Sequence, residues 1–198
     1  NPVPALPSDT FRYSLRDDGF SIHDGPVYFN RPLFVSHEPS MLLSGDRPAF
    51  AYFAPSTLGK IGTLYIGLVG SHGDRWLHQF QSVEFVYSPG FTKHILSDPQ
   101  FQDARLEVTT VQLASDEGFT IRLRWLKPAD DKVRLVWTFG GASGYRTNKS
   151  ARVDKLHVSE KDAGANTIAV MGRYFSIRAK TLAEKHVEGA CSLPGQFL

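Results

Sequence analysis

Residues 131–144 read DKVRLVWTFGGASG. Val133, Leu135, Trp137 and Phe139 occupy every second position, with Lys132, Arg134, Val136 and Thr138 between them. Successive side chains of a strand point to opposite faces, so the pattern predicts a strand with one apolar and one mostly polar face. The pattern breaks at Gly140, Gly141 and Gly144. Glycines at a strand end allow positive φ or a close approach by another part of the chain.

The same alternation extends backwards. Leu106, Val108, Thr110 and Gln112 alternate with Glu107, Thr109, Val111 and Leu113, and Phe119, Ile121, Leu123 and Trp125 oppose Thr120, Arg122, Arg124 and Leu126. Asp116-Glu117-Gly118 is the turn between them, and Lys127-Pro128-Ala129-Asp130 leads into the opening stretch. Residues 104–139 are therefore expected to form a three-strand antiparallel meander. Closer to the N-terminus, Asp17-Asp18-Gly19 is a hairpin signal between 11–15 and 20–23. Asp24-Gly25-Pro26 and Ser44-Gly45-Asp46-Arg47-Pro48 are further turns. Pro32 confines the segment 28–34 to a strand end or an edge. Gly62 and Gly67 mark 61–69 as a bulged or closely approached strand. Strands are also expected at 49–54, 76–80, 83–87 and 91–96, with a loop at 70–74 and a turn at Ser88-Pro89-Gly90. Beyond Gly144 a polar segment, 145–164, is a short helix or a long loop, and 166–171 and 174–180 make a last hairpin around Gly172-Arg173.

No fixed-period repeat and no amphipathic helix beyond about three turns is visible. Many short strands separated by turn residues predict an all-β fold, a large antiparallel β-sandwich of two sheets in the supersandwich manner. An extended, Pro-rich leader (1–10) precedes a single sandwich domain (11–198).

The 198 residues suit this assignment. Fourteen Phe, seven Tyr and three Trp against two Met indicate β-rich packing. A formal charge of +2 gives no support for nucleic acid as a partner. No run of about 18 apolar residues is present that could span a membrane as a helix. The lone Cys191, in a Gly-Ala-Cys-Ser-Leu-Pro-Gly tail, reads as a neutral thiol. The Pro-rich start without Met has the character of a mature N-terminus and favours export.

No catalytic motif is complete. Ser143 has Gly141 two positions before it but Tyr145 two positions after, which breaks the nucleophile-elbow pattern. The same turn lacks the Gly-Lys-Ser/Thr ending of a phosphate loop. His72, Asp74 and His78 match no specific zinc spacing, so no metal and no cofactor is expected. Asp46, Asp74, Glu84, Asp98, Asp103, Glu107, Asp116 and Glu117 include possible glycosidase pairs, but most sit in turns where Asp bonds local backbone. Trp125 and Trp137 fall on apolar strand faces and read as core. Trp76, beside a loop, is the better candidate to stack on a sugar ring, with His78, Asp46, Arg47, Tyr145 and Arg146 as further carbohydrate-binding candidates. Asp46-Arg47 reads first as a local turn pair. The acceptor pattern Asn148-Lys149-Ser150 carries no weight.

Three segments, Asn30-Arg31-Pro32-Leu33-Phe34, Ser44-Gly45-Asp46-Arg47-Pro48-Ala49-Phe50 and 135–144, resemble in order and spacing the N-terminal region of the DUF4450 family of uncharacterised Bacteroidetes proteins, over about residues 25–145. Members resemble the front portion of glycan-processing enzymes, in which a large β-sandwich precedes an α/α toroid that usually carries the catalytic carboxylates. The resemblance implies a protein exported to the periplasm or outer cell surface of polysaccharide-using bacteria, and it transfers no catalytic residues. This chain has no long helical repeats of its own. The implied function is a non-catalytic β-sandwich domain of a glycoside hydrolase-like protein, forming the N-terminal part of a longer chain and packing on a C-terminal helical catalytic domain. A self-standing carbohydrate-binding module with a glycan ligand is the alternative, and a hydrolase in its own right ranks third.

Overall fold

The computed structural model describes residues 13–25, 29–34, 41–53, 60–102, 104–113, 118–130, 132–140, 166–179 and 185–192. The strands, in chain order, are β1 (Ser14–Arg16), β2 (Gly19–His23), β3 (Phe29–Phe34), β4 (Met41–Gly45), β5 (Phe50–Phe53), β6 (Lys60–Gly70), β7 (Gly73–Trp76), β8 (Ser82–Ser88), β9 (Phe91–Ser97), β10 (Arg105–Gln112), β11 (Phe119–Lys127), β12 (Arg134–Gly140), β13 (Asn166–Met171), β14 (Tyr174–Ala179) and β15 (Lys185–Ala190). Among the described residues there is no α-helix, only the single 3-10 turns Leu77–Gln79 and Pro99–Phe101. The leader 1–10, the polar segment 145–164 and the turn residues Asp116 and Glu117 lie outside the described residues.

Every strand pairing is antiparallel. The first sheet runs β1-β2-β8-β9-β10-β11. The second runs β12-β6-β5-β4-β3, with β7 also paired to β6. The third, β13-β14-β15, adds to the expected two-sheet sandwich: the terminal hairpin acquires another strand and becomes a separate sheet. Pro32, which lacks a ladder N–H, does lie on an end strand, β3.

Only one of the two pairings of the expected meander forms. β10 and β11 pair from Gln112↔Phe119 to Arg105↔Lys127 with one register shift at Arg105/Leu106, but β12 leaves for the second sheet and pairs with β6 from Arg134↔Val69 to Gly140↔Thr63. The connector explains the switch. Pro128 offers no N–H, and Asp130 then closes a turn by accepting from Val133 N and, through Oδ1, from Lys132 N. A second correction concerns 76–80. β7 ends at Trp76, and Leu77–Gln79 is a 3-10 turn that buries Leu77 and Phe80.

The core lies between the two large sheets. Leu42, Phe50, Tyr52, Ile66 and Leu68 from the second sheet pack with Val83, Leu96, Leu106 and Val108 from the first, capped by Leu77, Phe80 and Phe101. Leu135 and Trp137 pack against this cluster, as the alternation of β12 requires. Trp125 departs from its expected core position and is 40% exposed. It lies opposite Leu106 beside the register shift at Arg105/Leu106, on a strand that ends its sheet.

A buried histidine is among the polar side chains that join the two sheets. His94 of β9 is fully buried, and its Nε2 donates to the Gly45 carbonyl of β4 at 2.9 Å. Phe50 meets the imidazole edge-on and Phe85 lies 4.9 Å away, centroid to centroid. Burial is the main cause that pushes its pKa down, to about 4, against a smaller upward pull from the Gly45 carbonyl. The unfolded chain therefore binds a proton below pH ~6.5 that the folded chain refuses until about pH 4. Stability should fall as pH drops through this window, by about 3 kcal/mol at pH 4 from this group. Urea unfolding at a series of pH values measures it, and His94→Leu should flatten this part of the profile relative to wild type.

Candidate functional site

The sequence candidates Trp76 and His78 meet on the outer face of the second sheet, around a residue the sequence reading passed over. Alternation along β6 turns Leu64, Ile66 and Leu68 into the core, which sends Thr63, Tyr65 and Gly67 to the other face. Gly67 is the register partner of Trp76. A Cβ there would sit 2.9 Å from the indole, so glycine lets the Trp76 ring lie against the strand. The Tyr65 ring fills the space between Trp76 (centroids 5.9 Å apart) and His78 (5.2 Å). Tyr65 could have been found from its parity opposite Leu64 and Ile66, but its contacts depend on the 3-10 turn that the sequence pattern hides.

Burial is the principal cause that lowers the His78 pKa, and the Arg47 guanidinium adds to it. The Nδ1 of His78 is buried with no hydrogen-bond partner among the described residues. Burial alone raises the Tyr65 phenol. The result is a neutral surface of indole, phenol and imidazole at pH 7, suited to the apolar C–H face of a ring-shaped ligand and unsuited to moving protons between strong charges.

Asp46 and Arg47 come close to this surface but are engaged inside the fold. Asp46 is fully buried and its Oδ2 accepts from Tyr13 Oη at 2.7 Å. Arg47 donates from Nε to the Gly25 carbonyl (2.9 Å) and from Nη1 to the carbonyls of Phe80 (2.6 Å) and His78 (3.4 Å). The turn that carries them thus fastens the second sheet to the segments entering β3 and β8 through partners 22 to 33 residues away in sequence. Tyr145 and Arg146 lie outside the described residues, as do Ser143, Asp103, Asp116 and Glu117.

The other described carboxylates have structural partners or face water. Asp98, buried, caps the 3-10 turn through Gln100 N, accepts from Gln81 N, and pairs with Arg75 at 2.8 Å. Glu84 pairs with Arg16 at 2.6 Å. Asp74 and His72 are exposed in the β6–β7 hairpin. Among the described residues no group of three or more His, Cys, Asp or Glu side chains is placed to hold a metal. No described helix is long and apolar enough to cross a membrane.

Antiparallel sheets around one apolar core, with binding candidates on outer faces and turns, define an all-β protein of the sandwich class. The chain belongs to the family described as domain of unknown function DUF4450, whose model matches residues 58–156, half of the chain. The match takes in the segment 135–144 and begins after those at 30–34 and 44–50. It covers β6 to β12, which build most of the core, and takes in Tyr65, Trp76 and His78. Comparisons with curated proteins and with solved structures find no match.

The electrostatics yield a direct expectation. In an NMR pH titration the His78 ring should titrate below 6.5, and Arg47→Gln should move its midpoint upward by removing the nearby positive charge. The same variant should lose about 2 kcal/mol of stability in urea, because the charge-assisted bonds to Gly25 and Phe80 are weakened.

Proposed function

We propose that this chain is a non-catalytic β-sandwich domain of a longer, exported glycoside hydrolase-like protein engaged in polysaccharide use, and that it packs on a C-terminal helical catalytic domain. One observation supports this reading. In the third sheet, Val170 pairs with Phe175 and Ile168 with Ile177. Phe175 meets Trp137 and Phe139, and Ile177 is buried. The same face continues outward through Ile168 and Val170, which stay 66% and 47% exposed. A face that is core at one end and open at the other is the surface a neighbouring domain covers. Met171 (79%) and Tyr174 (64%) extend the apolar exposure at the hairpin tip.

A second reading, a self-standing carbohydrate-binding module, draws on the Trp76–Tyr65–His78 surface. The two readings differ in chain size. An antibody to this chain, used on fractionated native cells, should detect a polypeptide much larger than 22 kDa in the periplasmic or surface fraction. A native species near 22 kDa would sink the accessory-domain reading. In that case glycan binding by this chain alone, followed by Trp fluorescence with Trp76→Ala as control, becomes the function to test.

A further inference from the structure

The outer face of the first sheet carries an unusual balance of charge. In β10, Leu106, Val108 and Thr110 are buried on the core side, so Arg105, Glu107 and Thr109 belong to the other side. The register sets three rows across that outer face: Lys93–Thr109–Arg122, Ile95–Glu107–Arg124 and Ser97–Arg105–Lys127. These rows hold Lys93, Arg105, Arg122, Arg124 and Lys127, while Glu107 is the only acidic residue in β9, β10 and β11.

Glu107 is a hub and not a neutraliser. Its side chain is only 4% exposed. Arg124 grips both oxygens, Nε to Oε1 at 3.2 Å and Nη2 to Oε2 at 3.1 Å, while Lys93 and Arg122 stand 3.7 and 3.8 Å away. Burial alone would raise its pKa, but the Arg124 hydrogen bonds and the charges of Lys93, Arg124 and Arg122 outweigh that and hold it below the usual range. One fixed carboxylate thus orients three cations, and the Arg122 and Arg124 side chains remain 68% and 59% exposed. Arg105 and Lys127, directly opposite each other, add a like-charge pair that is unfavourable without a counter-ion. Glu84, one strand further on, is already taken by Arg16. On a chain of net charge +2 this concentration of positive charge is local, and a local field selects an anionic partner.

We propose that the outer face of β9, β10 and β11 binds an acidic polysaccharide, one whose sugars carry carboxylate or sulfate groups. The cations recur along β11 at 122, 124 and 127, about 7–10 Å apart at the rise of a strand, which suits a linear polymer with charge repeated along its length better than a single small anion. Guanidinium forks bind carboxylate or sulfate in two-point fashion. Nucleic acid fits less well. The ring of Phe91 on this face already has the Lys93 ammonium over it at 6.0 Å and is thus engaged where a base would stack. The inference names the glycan class for the polysaccharide reading above, and rests on it.

The test is affinity electrophoresis and titration calorimetry with polygalacturonate (carboxylate), dextran sulfate (sulfate), neutral dextran and a thymidine oligonucleotide. Binding is expected to one or both acidic polysaccharides, which tells carboxylate from sulfate, and it should weaken about tenfold or more as salt rises from about 50 to about 500 mM. Arg122→Gln/Arg124→Gln should weaken it about tenfold. Because that variant strips partners from the buried Glu107, Arg105→Gln/Lys127→Gln provides a second variant that leaves the hub intact, and it should weaken binding too. Equal binding of neutral dextran, binding unchanged in the second variant, or equally tight oligonucleotide binding would each overturn the assignment while leaving the polysaccharide reading standing. If no polysaccharide binds, the assignment also falls, and the accessory-domain reading is then judged separately by the native chain size.

Discussion

The ladder along β6 holds this structure together. One edge of its eleven residues is shared, with β5 taking Lys60 to Leu64 and β7 taking Gly67 to Gly70. The other edge is given to β12 from Thr63 to Val69. Nearly all its backbone polar groups are thereby satisfied by three different strands, which is what a strand at the centre of a buried sheet requires. Each face also carries one glycine covered by an aromatic ring. A Cβ at Gly62 would sit 2.4 Å from the Phe139 ring, and one at Gly67 would meet Trp76. Phe139 then supports Phe175 of the third sheet, and Trp76 supports Tyr65 on the outer face. The third sheet and the aromatic surface thus both touch rings that lie against the glycines of β6.

Around this ladder the sheets are fastened by a few buried polar contacts. His94 reaches Gly45 across the core, Arg47 reaches Gly25 and Phe80, and Asp98 gathers Arg75 with two backbone amides. A neutral buried hydrogen bond contributes about 1 kcal/mol net, and a charge-assisted one about 1.5–3. The strongest of these equals one buried large side chain, about 1.5–3 kcal/mol, and the apolar core sums many such side chains. The effect of the polar contacts is on geometry: a buried imidazole or guanidinium left without its carbonyl costs far more than it gains when paired, so only one docking of the sheets satisfies them. A steric fit adds to this, since a Cβ on Gly25 would come within 2.7 Å of the Asp46 Cβ.

Much of the fold was legible because alternation is a local signal. The faces of β10, β11 and β12, the Asp17-Asp18-Gly19 hairpin, the Gly172-Arg173 turn and the end position of Pro32 all follow from neighbours in sequence. The glycines of β6 announced a close approach, though not by which rings. What was not legible is non-local. Alternation gives β12 a face but no partner, and pairing with the preceding strand was the default until Pro128 and Asp130 redirected the chain. The 3-10 turn after Trp76 was hidden because Trp76, His78 and Phe80 also fit strand parity. In the candidate site, Trp76 could be singled out as a large ring beside a loop. Tyr65 could not, because its role comes from cross-strand proximity. Glu107 read as one carboxylate among eight, since nothing along the chain says that Lys93 and two arginines converge on it.

The end strands add a last step. A strand that ends a sheet invites pairing by another chain, and charge on it is a common protection. β11 ends the first sheet and carries Arg122, Arg124 and Lys127. Edge protection accounts for one or two of these. It does not account for Lys93 and Arg105 on the strands behind them, nor for a buried carboxylate that orients the group. β13 ends the third sheet with the opposite chemistry, since Asn166, Thr167, Ile168, Ala169, Val170 and Met171 carry no charge at all. An uncharged end strand with apolar residues facing outward is an aggregation hazard in an isolated domain, and ceases to be one when a neighbour covers it. The two ends therefore differ in kind: β11 carries three cations, and β13 carries no charge.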